Sequence, residues 1–100
     1  MSKIKRGVVD GKDSIEIFEA FSYFDQKIED IVNEIIDRGD KELVFNCKHL
    51  SYITSAGIGQ IFKIIKRFKK IDGQLYICNI SEDIREYFQD ITIDKYFKYI

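Results

Sequence analysis

Apolar residues recur along this chain with two different periods, and each apolar stretch is closed by a turn or cap residue. Residues 4–9 and 14–18 read as two strands around the turn Asp10-Gly11-Lys12-Asp13. Ile15 and Ile17 alternate with Ser14 and Glu16, the period-two pattern of a strand that buries one face. Asp-Gly marks a tight hairpin, because glycine accepts the positive φ that such a turn needs. Phe24, Ile28, Ile31, Val32 and Ile35 then follow helical spacing, with Ser22 and Asp25 ahead of them in a capping-box-like arrangement. Gly39 closes that helix in the left-handed conformation favoured after a helix end. Leu43-Val44-Phe45 is continuously apolar, as a strand covered on both faces would be.

A second helix is predicted to start near Ala56. Ile58, Ile61, Ile65 and Phe68 form its apolar stripe, widened by Phe62 and Ile64, and Lys63, Lys66, Arg67, Lys69 and Lys70 form the polar complement. Positive charge in the last turns suits the negative end of the helix dipole. Asp72-Gly73 ends the helix, and residues 74–78 read as the next strand. Ser81 can cap a short third helix with Glu82 and Asp83 in its first turn and Ile84, Phe88 and Tyr87 inward. A last short strand is predicted over residues 97–100. The order β-β-α-β-α-β-α-β implies mostly parallel pairing after an antiparallel opening hairpin. The fold class is therefore α/β, a small sandwich with a central sheet of four to five strands and about three helices.

One hundred residues are expected to form one domain, residues 1–100. A net charge of -1 and a pI near 5.8 argue against nucleic acid as the main partner, so the five basic residues of the second helix read as a solvated face. The longest apolar runs are far shorter than the roughly 20 residues that span a bilayer. The leading residues 1–7 are charged and lack a signal peptide's apolar segment, so the expected location is the cytoplasm, without membrane insertion. Cys47 and Cys78 fall in predicted strands and read as buried free thiols in a reducing compartment. His49 is the only histidine, and the Cys and His spacing matches no zinc pattern, so neither metal nor cofactor is expected.

The most informative segment is Thr54-Ser55-Ala56-Gly57-Ile58-Gly59, where an apolar strand ends in a short polar corner and small residues open a helix. Ser55 lies at or beside the helix N-terminus, where amides without intrahelical partners stabilise an oxygen or an anion. A serine there can be a cap, an anion contact or a phosphorylation switch, and Thr54 is an alternative cap. Gly57 and Gly59 cost the helix up to about 1 kcal/mol each against alanine. Tight packing on the sheet or close approach by a partner would explain them, and the position of Gly57 beside Ser55 favours the partner.

On these residues the chain resembles the STAS domain family, in particular the stand-alone anti-sigma factor antagonists of bacteria. The family's motif reads Asp-Ser-(Ser/Thr)-Gly-(Leu/Val)-Gly at a helix start, and this chain has Thr54 for the Asp and Ala56 for the residue after the serine. The family's Gly-x-Leu-Asp segment corresponds to Ile17-Phe18-Glu19-Ala20 here. The Asp72-Gly73-Gln74 turn, residues 75–81 and the aromatic-rich tail resemble the family as well. The resemblance implies a non-enzymatic phosphoprotein of transcription regulation. A partner that is both anti-sigma factor and serine kinase would phosphorylate Ser55. The unmodified form would bind that partner through residues 54–59 and release a sigma factor, and a PPM-type phosphatase would restore it. A constitutive STAS scaffold subunit, for instance of a lipid-transport ABC complex, is the alternative. An enzyme with Ser55 as nucleophile would need a base within reach; His49 is nearby in sequence, but Gly-x-Ser-x-Gly is absent.

Overall fold

The computed structural model describes residues 4–100; Met1, Ser2 and Lys3, part of the leading segment read above, lie outside it. Strands β1 (Ile4–Val9) and β2 (Lys12–Ile17) form the expected antiparallel hairpin. Its turn shortens to Asp10-Gly11, with φ of 52° and 73° at the two residues. Two successive positive φ values give the twist that matches flanking strands, so β2 starts two residues earlier than the sequence pattern suggests.

Strand β3 (Glu19–Phe21) leads into helix α1 (Gln26–Asp37), followed by β4 (Glu42–Asn46) and β5 (Leu50–Ile53). Helix α2 (Ser55–Lys70), β6 (Gln74–Cys78), α3 (Glu82–Asp90), a 3₁₀ turn (Asp94–Tyr96) and β7 (Phe97–Tyr99) complete the order. The main sheet runs β1-β2-β4-β6-β7, antiparallel only at the opening pair. This is the α/β architecture expected. A second, two-stranded parallel sheet of β3 and β5 was not anticipated.

Ile15, Ile17, Leu43, Phe45, Leu75 and Ile77 face the helices and join Ile28, Ile35, Ile61, Ile64, Phe68 and Phe88 in one core cluster. Val44, on the opposite face, is also fully buried, flanked in register by Ser14 and Tyr76. There Lys12 lies over the Tyr76 ring, whose hydroxyl donates to Glu42 at 2.6 Å. Asp13 is held by both Arg6 and Arg38, and Arg6 also reaches Glu34, so ion pairs tie the hairpin to α1.

The start of α1 differs from the sequence reading. Asp25 is itself the N-cap of α1, its carboxylate accepting from the Lys27 amide at 2.9 Å, and Ser22 takes no cap position. Phe24 accordingly lies before the helix and is 44% exposed rather than part of its apolar stripe. Ser81 caps α3 as expected, accepting from the Ile84 amide, while Tyr87 faces outward.

Cys47 follows β4 by one residue, and its amide donates to the Cys78 carbonyl at 2.9 Å. Both thiols are free and buried. Burial, with a smaller contribution from Cys78, pushes the Cys47 thiol up to about 12 from its ordinary 9.0. A thiol that ionises less readily folded than unfolded stabilises the fold below its unfolded value and loses that contribution as pH rises. Stability is therefore expected to decline between pH 9 and about 12. At pH 8 iodoacetamide should leave Cys47 of the folded protein unlabelled and label both cysteines after unfolding; peptide mass spectrometry reads the difference.

Candidate functional site

The site is the start of α2. Strand β5 delivers the chain to Thr54, whose amide donates to the Phe21 carbonyl of β3 at 3.0 Å. Thr54 occupies the N-cap with extended backbone, φ -105° and ψ 175°, and its carbonyl accepts from the Ile58 amide at 3.0 Å. Its side chain makes no cap bond, and Oγ1 is buried without a hydrogen-bond partner among the described residues. The contrast with α1 and α3 is direct, because both of those begin on a side-chain cap with a carboxylate in the first turn. Helix α2 has neither. Ser55 is its first residue and is exposed, as is Ala56. The positive dipole end of α2 thus opens on two exposed residues, Ser55 and Ala56, with no acid in its first turn.

The two glycines have different reasons. A Cβ on Gly57 would lie 2.4 Å from the Phe21 carbonyl oxygen and 2.9 Å from the Phe21 ring, so the helix sits against β3 too closely for any side chain. Packing explains Gly57, which corrects the preference for a partner contact there. Ile58 is buried too, 8% exposed, and takes its place in the core. Among the described residues, a Cβ on Gly59 would meet nothing within 4 Å. Gly59 is exposed, and its missing side chain relieves no clash with them.

Of the six segment residues, Ser55, Ala56 and Gly59 thus face outward, Thr54 is half-buried, and Gly57 and Ile58 hold the helix in place. Ser55, Gly59, Phe62 and Lys66 are spaced for one side of the helix, and all four are exposed. His49 is engaged elsewhere: its ring stacks on Phe18 at 5.0 Å, its Nε2 lies 3.5 Å from a Glu16 carboxylate oxygen, and its carbonyl accepts from the Glu19 amide.

Sequence reasoning missed Gln60. It is 1% exposed, in the middle of the apolar side of α2, and clasps the main chain of Asp25 with both ends of its amide. The Asp25 amide donates to Oε1 at 2.9 Å, and Nε2 donates to the Asp25 carbonyl at 2.8 Å. The available signal was a polar residue inside an apolar stripe, which needs a buried partner.

Comparison with known proteins follows the same geometry. The STAS domain profile matches residues 16–100, nearly the whole chain. The chain belongs to the STAS domain family. A curated relative is the proposed anti-sigma factor antagonist BtrV of Bordetella bronchiseptica, 30% identical over 54 residues. That match covers 54% of this chain and 47% of BtrV, so the chain spans about half the length of that relative. Among solved structures, the Bacillus cell fate determinant SpoIIAA in its phosphorylated form superposes with a TM-score of 0.74 at 18% identity, covering 97% of this chain and 90% of that one. The unphosphorylated anti-sigma factor antagonist SpoIIAA gives 0.66 at 20% identity, over 92% and 96% of the two chains. A Shewanella loihica protein with a SpoIIAA-like fold gives 0.61 at 12% identity, over 97% and 83%. This STAS domain thus has the SpoIIAA-like fold. Among its described residues no helix is long and apolar enough to cross a membrane.

The glycine pair can be separated by substitution. Gly57→Ala forces a methyl into the Phe21 carbonyl and should cost about 1–3 kcal/mol or more. Gly59→Ala meets open space and should stabilise by up to about 1 kcal/mol. Urea unfolding of the two variants checks the opposite signs.

Proposed function

We propose that this STAS domain is a protein-binding regulator of the anti-sigma antagonist type, switched by a phosphate on Ser55. The observation that carries the reading is the uncapped, acid-free start of the 16-residue helix α2, with Ser55 exposed as its first residue. The relatives support it: BtrV bears the antagonist description, and SpoIIAA has been solved with and without its phosphate. In the unmodified state the chain binds an anti-sigma factor that is also a serine kinase, and a sigma factor is released. A PPM-type phosphatase reverses the modification. The chain acts by occupying a surface rather than by catalysis, in a cytoplasmic setting.

The physical logic is local. A phosphoserine adds about -1.5 to -2 charges and further acceptor oxygens. The free amides and dipole of α2 accommodate that charge at roughly 0.3–1 kcal/mol per charge in its favour, so the domain need not refold. A partner lying over Ser55 and Gly59 would bury the phosphate without a counter-charge, and an unpaired buried charge is far more costly than that gain. Gly59 fits this role: its bare backbone is a flat place between Ser55 and Phe62 where a partner can come close.

Binding of purified anti-sigma factor kinases encoded in the source genome tests the reading. Ser55→Ala should bind the cognate kinase as tightly as the unmodified protein, and Ser55→Asp should lose about tenfold or more. Equal affinity of the two variants would overturn the switch and leave a constitutive scaffold.

A further inference from the structure

Four positions three residues apart, from the N-cap to the middle of α2, hold one short segment of chain. Thr54 donates to the Phe21 carbonyl, Gly57 lies against Phe21, Gln60 clasps the Asp25 main chain, and Lys63 Nζ sits 5.0 Å from the Phe24 ring centroid. Between those anchors, Tyr23 and Phe24 are 50% and 44% exposed, unusual for large aromatic residues in irregular chain. Lys63, exposed one residue beyond Phe62, carries the contact from α2 to the Phe24 ring, so exposed residues of the helix and of the loop meet there.

We propose that Gln60 is a positioning residue, which fixes the segment between β3 and α1 so that Tyr23 and Phe24 form the aromatic half of a docking surface. The occupant is a protein partner whose face is apolar and rimmed with carboxylates. This rests on the reading of the α2 stripe as the partner surface, and it deepens that reading by naming the partner's chemistry. Charge complementarity supplies the argument. Helix α2 carries Lys63, Lys66, Arg67, Lys69 and Lys70 and no acidic residue, and Lys63 lies over the Phe24 ring. A partner rim of carboxylates is attracted by those lysines and repelled by a phosphate at Ser55, so one surface explains both attachment and release.

The buried glutamine suits this task. An apolar residue at 60 would also fill the core, but it could not hold main chain at a fixed register. Gln60 bonds the amide and the carbonyl of one residue, as a neighbouring strand would, and that residue is the N-cap of α1. Aromatic side chains held in place before contact spare the complex the cost of ordering them on binding.

The test has two arms. In the free protein, Gln60→Met should speed amide hydrogen exchange of residues 22–25 by about tenfold while the amides of β4 and β6 keep their protection. A uniform rise across the chain, or no change, would overturn the positioning role. In the complex with the anti-sigma factor kinase identified by the Ser55 experiment, Phe24→Ala should weaken binding about tenfold. Gln60→Met should weaken it similarly, and the double variant should be no weaker than the poorer single one, because both act through the same ring. Additive losses would show that Gln60 does not act through Phe24. Phe24 is exposed, so its variant folds whatever becomes of the glutamine variant. Full binding by Phe24→Ala together with loss by Ser55→Asp would overturn this inference and spare the proposed switch. Equal binding by both Ser55 variants, with Phe24→Ala still weakened, would do the reverse. Raising salt from 50 to 500 mM should weaken the complex, and insensitivity to salt would overturn the acidic partner.

Discussion

The approach of the first turn of α2 to the Phe21 carbonyl constrains much of the remaining structure. With Gly57 there the helix settles against β3, and the Thr54 amide completes the contact. That seating buries Ile58, points Ser55 and Ala56 outward, and brings Gln60 within reach of Asp25. A methyl at position 57 would lift the helix start and loosen each of these together. The small sheet of β3 and β5 is therefore a platform for one end of a helix, apart from the main five-stranded sheet.

Around that platform, the three helices are capped differently. Asp25 and Ser81 satisfy the amides of α1 and α3, with acids placed in their first turns. At α2 the Thr54 hydroxyl turns inward and finds no partner among the described residues, an arrangement that gives up about 1 kcal/mol of capping. Stability alone would favour a cap. An open helix start beside an exposed serine, with a bare glycine one turn on and lysines beyond it, is the arrangement that the proposed switch requires.

Much of this was legible in the chain. The alternation of Ile15 and Ile17, the run Leu43-Val44-Phe45 and the stripe of α2 report burial through simple periods, so the main sheet and helices followed from them. Strands β3 and β5 escaped because three- and four-residue strands carry almost no period, and Leu50-Ser51-Tyr52-Ile53 does not alternate. Phe24 misled for a related reason: its spacing fits a helix, but Asp25 caps the helix just after it. Ser55 could be placed at a helix start from small residues and hydroxyls, whereas the separate roles of Gly57 and Gly59 depend on what lies across from each. That is a tertiary fact, invisible in a motif that spells both as glycine. Gln60 belongs with them, since its partner is 35 residues away.

The central claim is that Ser55 carries a reversible phosphate, and peptide mass spectrometry of the protein isolated from its own growing and starved cells tests it most directly. The account expects a population heavier by one phosphate, mapped to Ser55 and changing between the two conditions. Absence of phosphate from Ser55 in every condition would contradict it.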